Sequence, residues 1–173
     1  MLYWFASKDD LVMEVVTRSA AELVIAIEAA ARRAGEGFDR VEAVVRAVFR
    51  PAIRRPALLG LVRDLNRLES AGSQRLADVL RPHIERAVAY LDAEMSAGRL
   101  RRADARITVA LAYATVVGVA TEAVALRAIG WEPGVANLRR LRGELVSFLR
   151  AALAVPTAPA ISIGGTNIAP SSG

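Results

Sequence analysis

Apolar residues recur along most of this chain at three- and four-residue intervals, the spacing of one helix face. Over residues 7–33 the stripe is Val12, Val16, Ala20, Leu23, Ile27 and Ala30. Ser7 suits the N-cap of that helix, and Asp9 and Asp10 fall in its first turn, where the helix dipole favours negative charge. Glu14 with Arg18 and Glu28 with Arg32 form i,i+4 pairs on the wet side, and Gly35 and Gly37 end the helix. Asp39 is expected to cap a second helix over residues 40–50, with Pro51 and Pro56 breaking or kinking the chain after it. A short helix over residues 57–69 turns Leu58, Leu61, Val62, Leu65 and Leu68 inward. Ser73 then caps a helix reaching residue 97, kinked near Pro82.

Gly98 reads as a left-handed stop with Leu100 at C″, and Asp104 as the cap of a long helix over residues 105–129. That helix has no charged residue between Ile107 and Thr121, and its apolar positions go nearly all the way round. Such a helix must be covered on every side. Ala110, Ala114 and Gly118 recur one turn apart, so another helix can approach closely along that line. The charge-free run is shorter than the roughly 20 residues a membrane span needs. Gly130 ends the helix, with Trp131 at C″. In the last helix, residues 135–154, Leu138, Leu141, Leu145, Phe148 and Ala152 step three, four, three, four, the seam of a helix bundle. The pattern therefore predicts an all-α fold of about six helices, with a dimer interface made by Ala110, Ala114, Gly118, Leu138, Leu141, Leu145 and Phe148. Residues 156–173 are rich in Pro, Gly, Ser, Thr and Ala, carry no charge, and read as a flexible tail.

Composition agrees with this picture. Hydrophobic residues make up 54% of the 173 and aromatic residues only 5%, a balance that favours helix over sheet. Cysteine is absent, which excludes disulfides, thiolate chemistry and cysteine zinc sites. No signal peptide opens the chain, so a cytoplasmic location is expected. The net charge is +5, and Lys8 is the only lysine. An arginine-biased proteome accounts for that balance better than selection for nucleic acid, because net charge bears on non-specific attraction rather than on fold.

Candidate chemistry is sparse. His83 is the only histidine and sits beside Pro82 among Leu80, Ile84 and Arg86. A lone helical histidine is far more often a packed residue than a general base. No His-x-x-x-His or Glu-x-x-His pair and no glycine-rich phosphate loop occurs. No catalytic residue, metal or cofactor is therefore expected. Asn66, His83, Tyr90, Tyr113, Thr115, Thr121 and Glu122 are polar positions within apolar helices. Each can bond to backbone or water, as most buried polar groups do, or the group can supply polar handles to an apolar pocket between helices.

Residues 2–11, Leu-Tyr-Trp-Phe-Ala-Ser-Lys-Asp-Asp-Leu, resemble the junction of tetracycline-repressor-type (TetR family) regulators. There an aromatic end of the recognition helix is followed by Phe, a short turn, Ser-Lys, two variable residues and Leu. The order of helices through residue 154 is similar to that family's C-terminal domain. The resemblance implies an all-helical homodimer in which the last two helices of each protomer form a four-helix bundle. It further implies a small, apolar effector bound among the middle helices, whose binding re-angles the first helix and releases DNA. It makes residues 1–6 the remnant of a helix-turn-helix and residues 7–155 the effector-binding and dimerisation domain. Tyr3 and Lys8 match positions that contact DNA phosphates, which orient a protein without reading sequence. The base-reading helices would precede Met1, so DNA is an expected partner only where those helices are present. On this reading the effector pocket is lined by Val16, Leu23, Leu65, Asn66, His83, Ala87, Tyr90, Tyr113, Val117 and Thr121. A helical interaction module that dimerises without sensing a small molecule or binding DNA is the alternative, and an enzyme is the least favoured reading.

Overall fold

The computed structural model describes residues 8–55, 71–132 and 134–155. Over these residues the protein is all-helical: α1 (Lys8–Arg33), α2 (Phe38–Arg54), α3 (Ala71–Ser96), α4 (Ala105–Thr121), α5 (Ala123–Ala128) and α6 (Val135–Leu153). None of the described helices is long and apolar enough to cross a membrane. A lone antiparallel bridge joins Leu100 to Ala154, and the Arg101 N–H donates to the Leu153 carbonyl at 2.7 Å. These two contacts pin the α3–α4 loop to the end of α6.

Helix α1 packs on α2 and α3, α2 on α6, and α3 on α4. The core lies where α2, the end of α3, the start of α4 and α6 converge. It contains Phe38, Val45 and Phe49 from α2, Leu91 and Met95 from α3, and Leu100 and Ala105 from the next turn and helix. Leu145, Val146, Leu149 and Leu153 of α6 complete it. Burying each large aliphatic side chain here contributes on the order of 2 kcal/mol.

Two glycine stops behave as the sequence implies. Gly98 (φ 71°) and Gly130 (φ 75°) take the left-handed conformation that a side chain would resist. After Gly98 the Arg99 N–H reaches back to the Glu94 carbonyl at 2.9 Å, and after Gly130 the Trp131 N–H reaches the Leu126 carbonyl at 2.9 Å. Arg99, not Leu100, is therefore the C″ residue of α3. Leu100, one position further on, is driven into the core. Asp104 caps α4 as expected, its carboxylate accepting the Ile107 N–H at 2.9 Å. Asp104→Ala is expected to cost about 1 kcal/mol. Calorimetry at fixed protein concentration should show this as a Tm lower by roughly 2–4 °C.

Four boundaries differ from expectation. Helix α3 already includes Ala71 and Gly72, so Ser73 lies in its first turn instead of capping it. Helix α2 starts at Phe38 on an N-cap Gly37 (φ 61°), so Asp39 lies in the first turn instead of capping it. Helix α2 also runs through Pro51 to Arg54. Proline gives up its own N–H bond and crowds the carbonyl four residues back, but here both effects fall near the end of the helix, whose last turn the Arg55 N–H closes on the Pro51 carbonyl at 2.8 Å. The extra turn lets Ile53 pack on the core. Finally, the long helix expected over residues 105–129 is divided at Glu122 (φ −98°, ψ 35°) into α4 and α5. The division falls on the charged residue that ends the apolar run and leaves Glu122 exposed. The expected helix over residues 57–69, the Ser7 cap and the tail lie outside the described residues.

Candidate functional site

Helix α4 presents three different sides. Its inner side, Ala105, Val109, Val116 and Val119, is buried in or packed against the core. A second side, Arg106, Val109, Ala110 and Tyr113, faces Ile84 and Val88 of α3 across a groove of about 260 Å³. A third side, Ile107, Leu111, Ala114 and Gly118, follows a four-three-four spacing on the outside. Ile107 is 58% exposed and Leu111 55%, and a Cβ built on Gly118 would meet no atom within 4 Å. Thr115 does not add polarity to any side, because its hydroxyl donates to the Leu111 carbonyl at 2.9 Å.

A buried polar cluster holds the turns at one end of the bundle together. Glu94 of α3 is only 4% exposed. Its carboxylate accepts the Gly37 N–H at 2.8 Å and a two-pronged contact from Arg99, both bonds 2.7 Å long. The Arg99 guanidinium lies 3.4 Å from Glu36. Tyr90 donates its hydroxyl to the Gly37 carbonyl at 3.0 Å, and the Arg40 guanidinium sits 4.8 Å over the Tyr90 ring. The Arg99 guanidinium, helped by the Gly37 N–H, holds the Glu94 carboxyl at about 2 against the opposing effect of burial. Glu94 in turn raises the Arg99 pKa above its usual value. Burial, reinforced by the Glu94 charge, raises that of Tyr90. This clasp ties the α1–α2 turn to the α3–α4 turn and fixes the carboxyl end of α1.

Farther along α3, Arg86 lies between His83 and Glu28 of α1. Its guanidinium is 2.6 Å from His83 Nδ1 and 3.1 Å from the Glu28 carboxylate. Arginine can only donate, so His83 accepts through Nδ1. Beside the Glu94 cluster, at Phe38 next to Gly37, Arg150 stacks 4.4 Å over the Phe38 ring and pairs with Glu42, joining α6 to α2. Arg150 and, more strongly, Arg46 hold the Glu42 carboxyl below its usual range.

The structure separates the residues expected to line one pocket. Tyr113 does line the groove. His83 and Tyr90 lie on another side of α3, where they engage Glu28 and Gly37, with Ala87 between them in sequence on the same face. Leu23 and Val117 are half-buried on α1 and α4. Leu65, Asn66 and Tyr3 lie outside the described residues, as do the side chains of Lys8, Val16 and Thr121. The groove draws on Ile84 and Val88, one position along from His83 and Ala87, together with Arg106 and Val109. Their i,i+4 and i,i+3 spacings were visible in the sequence, but the choice of face was not.

The expected dimer seam is redistributed as well. Leu138 and Leu145 are 1% and 7% exposed within the single chain, so they belong to the protomer's own core. Leu141 packs against that core. Helix α6 first has to bury one stripe against α2, and these leucines supply it with Val146, Leu149 and Leu153. Phe148 remains 60% exposed. Ala114 and Gly118 fall on the outer side of α4, whereas Ala110 borders the groove.

No protein-family model matches the chain, and no curated protein matches it. Among solved structures, the chain is similar to a protein of unknown function from Rhodococcus sp. RHA1, with a TM-score of 0.59 and 19% identity. The match covers 84% of this chain and 74% of that one. At this identity the likeness concerns the fold alone.

Proposed function

We propose that this chain is the effector-sensing and dimerising body of a ligand-responsive transcriptional regulator of the TetR kind, acting as a repressor. The observation that carries this reading is the arrangement around α4. One helix, uncharged from Ile107 to Thr121, borders the groove on one side and offers Ile107, Leu111, Ala114 and Gly118 to a second copy on another. A small molecule and a partner subunit would then share one element. The aromatic junction of residues 2–11 supports a DNA-binding head attached at the start of α1.

The mechanism is a shift in population. An effector that binds one inclination of α1 more tightly moves the equilibrium by the ratio of its two affinities. The Glu94 clasp fixes the carboxyl end of α1, so α1 pivots there and its amino end travels furthest. Glu28, His83 and Arg86 form the contact between α1 and α3 that such a motion would rearrange. The second reading, a dimerising module without a ligand, draws on the small size and openness of the groove.

A panel of small apolar molecules tested by thermal shift distinguishes the two. A ligand at about a hundred times its Kd should raise Tm by roughly 5–10 °C. Tyr113→Ala should reduce that rise while leaving the unliganded Tm nearly unchanged, because Tyr113 is half exposed. Stabilisation by no member of the panel, or equal stabilisation of Tyr113→Ala, would favour the ligand-free module.

A further inference from the structure

We infer that the α3–α4 groove takes a small amphipathic carboxylate, with Arg106 receiving its charged end. This rests on the groove being the effector site and names the chemistry of its occupant. Of the six lining residues, Ile84, Val88, Val109, Ala110 and Tyr113 carry no charge, and Arg106 alone does. Among the described residues Arg106 has no hydrogen-bond or ion-pair partner. Asp104 is committed to the Ile107 N–H, and neither Glu85, next to Ile84 on α3, nor Asp92 forms an ion pair with Arg106. Residues 101–106 carry three arginines against one aspartate, so the segment leading into α4 is net positive.

Each alternative occupant leaves part of this arrangement unused. A neutral hydrocarbon gains nothing from the guanidinium, and a cation is repelled by it. A carboxylate forms charge-assisted bonds with it, which are shorter and stronger than neutral ones. The apolar walls meanwhile take an alkyl or aromatic body. At about 260 Å³ the groove falls just below the roughly 300–1,000 Å³ of drug-sized sites, so that body is small.

Octanoate and octylammonium below their micellar concentrations, and octanol below its solubility limit, can be titrated calorimetrically against the whole chain. Octanoate is expected to bind about ten- to a hundredfold more tightly than octanol, the range of a charged hydrogen bond, and octylammonium more weakly than either. Arg106→Gln should bring octanoate down to the octanol level and leave octanol unchanged. Ala110→Leu, which fills the groove, should abolish binding of both while light scattering shows the same assembly state as wild type. Equal affinity for octanoate and octanol, with both lost in Ala110→Leu, overturns the carboxylate assignment and leaves the groove as a neutral effector site. Binding that survives Ala110→Leu places the effector elsewhere, and no binding of any of the three leaves the groove without this occupant. Either result overturns the proposal, as does dissociation of a dimer by Ala110→Leu, which would make the groove a contact between copies.

Discussion

Gly118→Leu is expected to turn a dimer of 18.5-kDa chains into monomers without unfolding them. In the protomer a Cβ at Gly118 meets nothing within 4 Å, so the added side chain starts out into open space in its own chain. Leucine is also the better helix former by about 0.5–1 kcal/mol, which raises the intrinsic stability of α4. The cost falls on the proposed interface. Ile107, Leu111, Ala114 and Gly118 form an outer stripe whose small members allow a second helix close approach. A two-fold interface carries every substitution twice. Overpacking typically costs 1–3 kcal/mol per site, so the dimer Kd should rise roughly a hundredfold or more. Sedimentation velocity at micromolar concentration reads the mass, and far-UV circular dichroism should show unchanged helix content. Leu111→Glu acts on the same stripe by a different route, placing a charge where the partner would cover it. Wild-type chains that sediment as monomers, or a Gly118→Leu variant still paired at wild-type affinity, would remove the interface.

What the sequence disclosed here was mostly local. Asp104, Gly98 and Gly130 announce helix ends because a cap bond or a positive φ depends on only a few neighbouring residues. The apolar circumference of α4 was equally plain, and it required cover on several sides. Sequence periodicity does not say which neighbour supplies each cover. In α6 the same regular leucine spacing is satisfied by α2 of the same chain, which removes Leu138 and Leu145 from any interface and leaves Phe148 outside. In α3 the polar positions His83 and Tyr90 looked like pocket handles. They face Glu28 and Gly37, and the less conspicuous Ile84 and Val88 line the groove. Glu94 was the least legible residue. Within Asp-Ala-Glu-Met-Ser it looks like an ordinary surface carboxylate. Its burial follows from a turn 57 residues earlier in the chain, whose backbone N–H it accepts. Only the Gly98 stop, which brings Arg99 back over the end of α3, hinted that a charge there would find a partner.

Removing that carboxylate should have the largest effect on stability. Glu94→Ala is expected to lower the unfolding free energy by about 3 kcal/mol, because it leaves the Gly37 N–H without its acceptor and the Arg99 guanidinium without its counter-charge. Urea denaturation should show this as a lower midpoint at unchanged slope, and Tm should fall by roughly 6–12 °C. Glu94→Gln keeps an oxygen for Gly37 while losing the charge, so it should fall between wild type and Glu94→Ala. The pH dependence separates the charge from the packing. The folded carboxyl titrates at about 2 against an ordinary value of 4.5. A depressed folded value means that the charged form stabilises the native state. That contribution is fully present above pH 4.5 and is lost as pH falls from there towards 2. The difference between wild type and Glu94→Ala should therefore shrink across this window, and the acid limb of the variant should be the shallower of the two. A difference that stays constant between pH 6 and pH 3 would mean that Glu94 contributes through shape alone. The two turns would then be joined by Tyr90 and the surrounding core, and α1 would lose the charged anchor about which it is proposed to pivot.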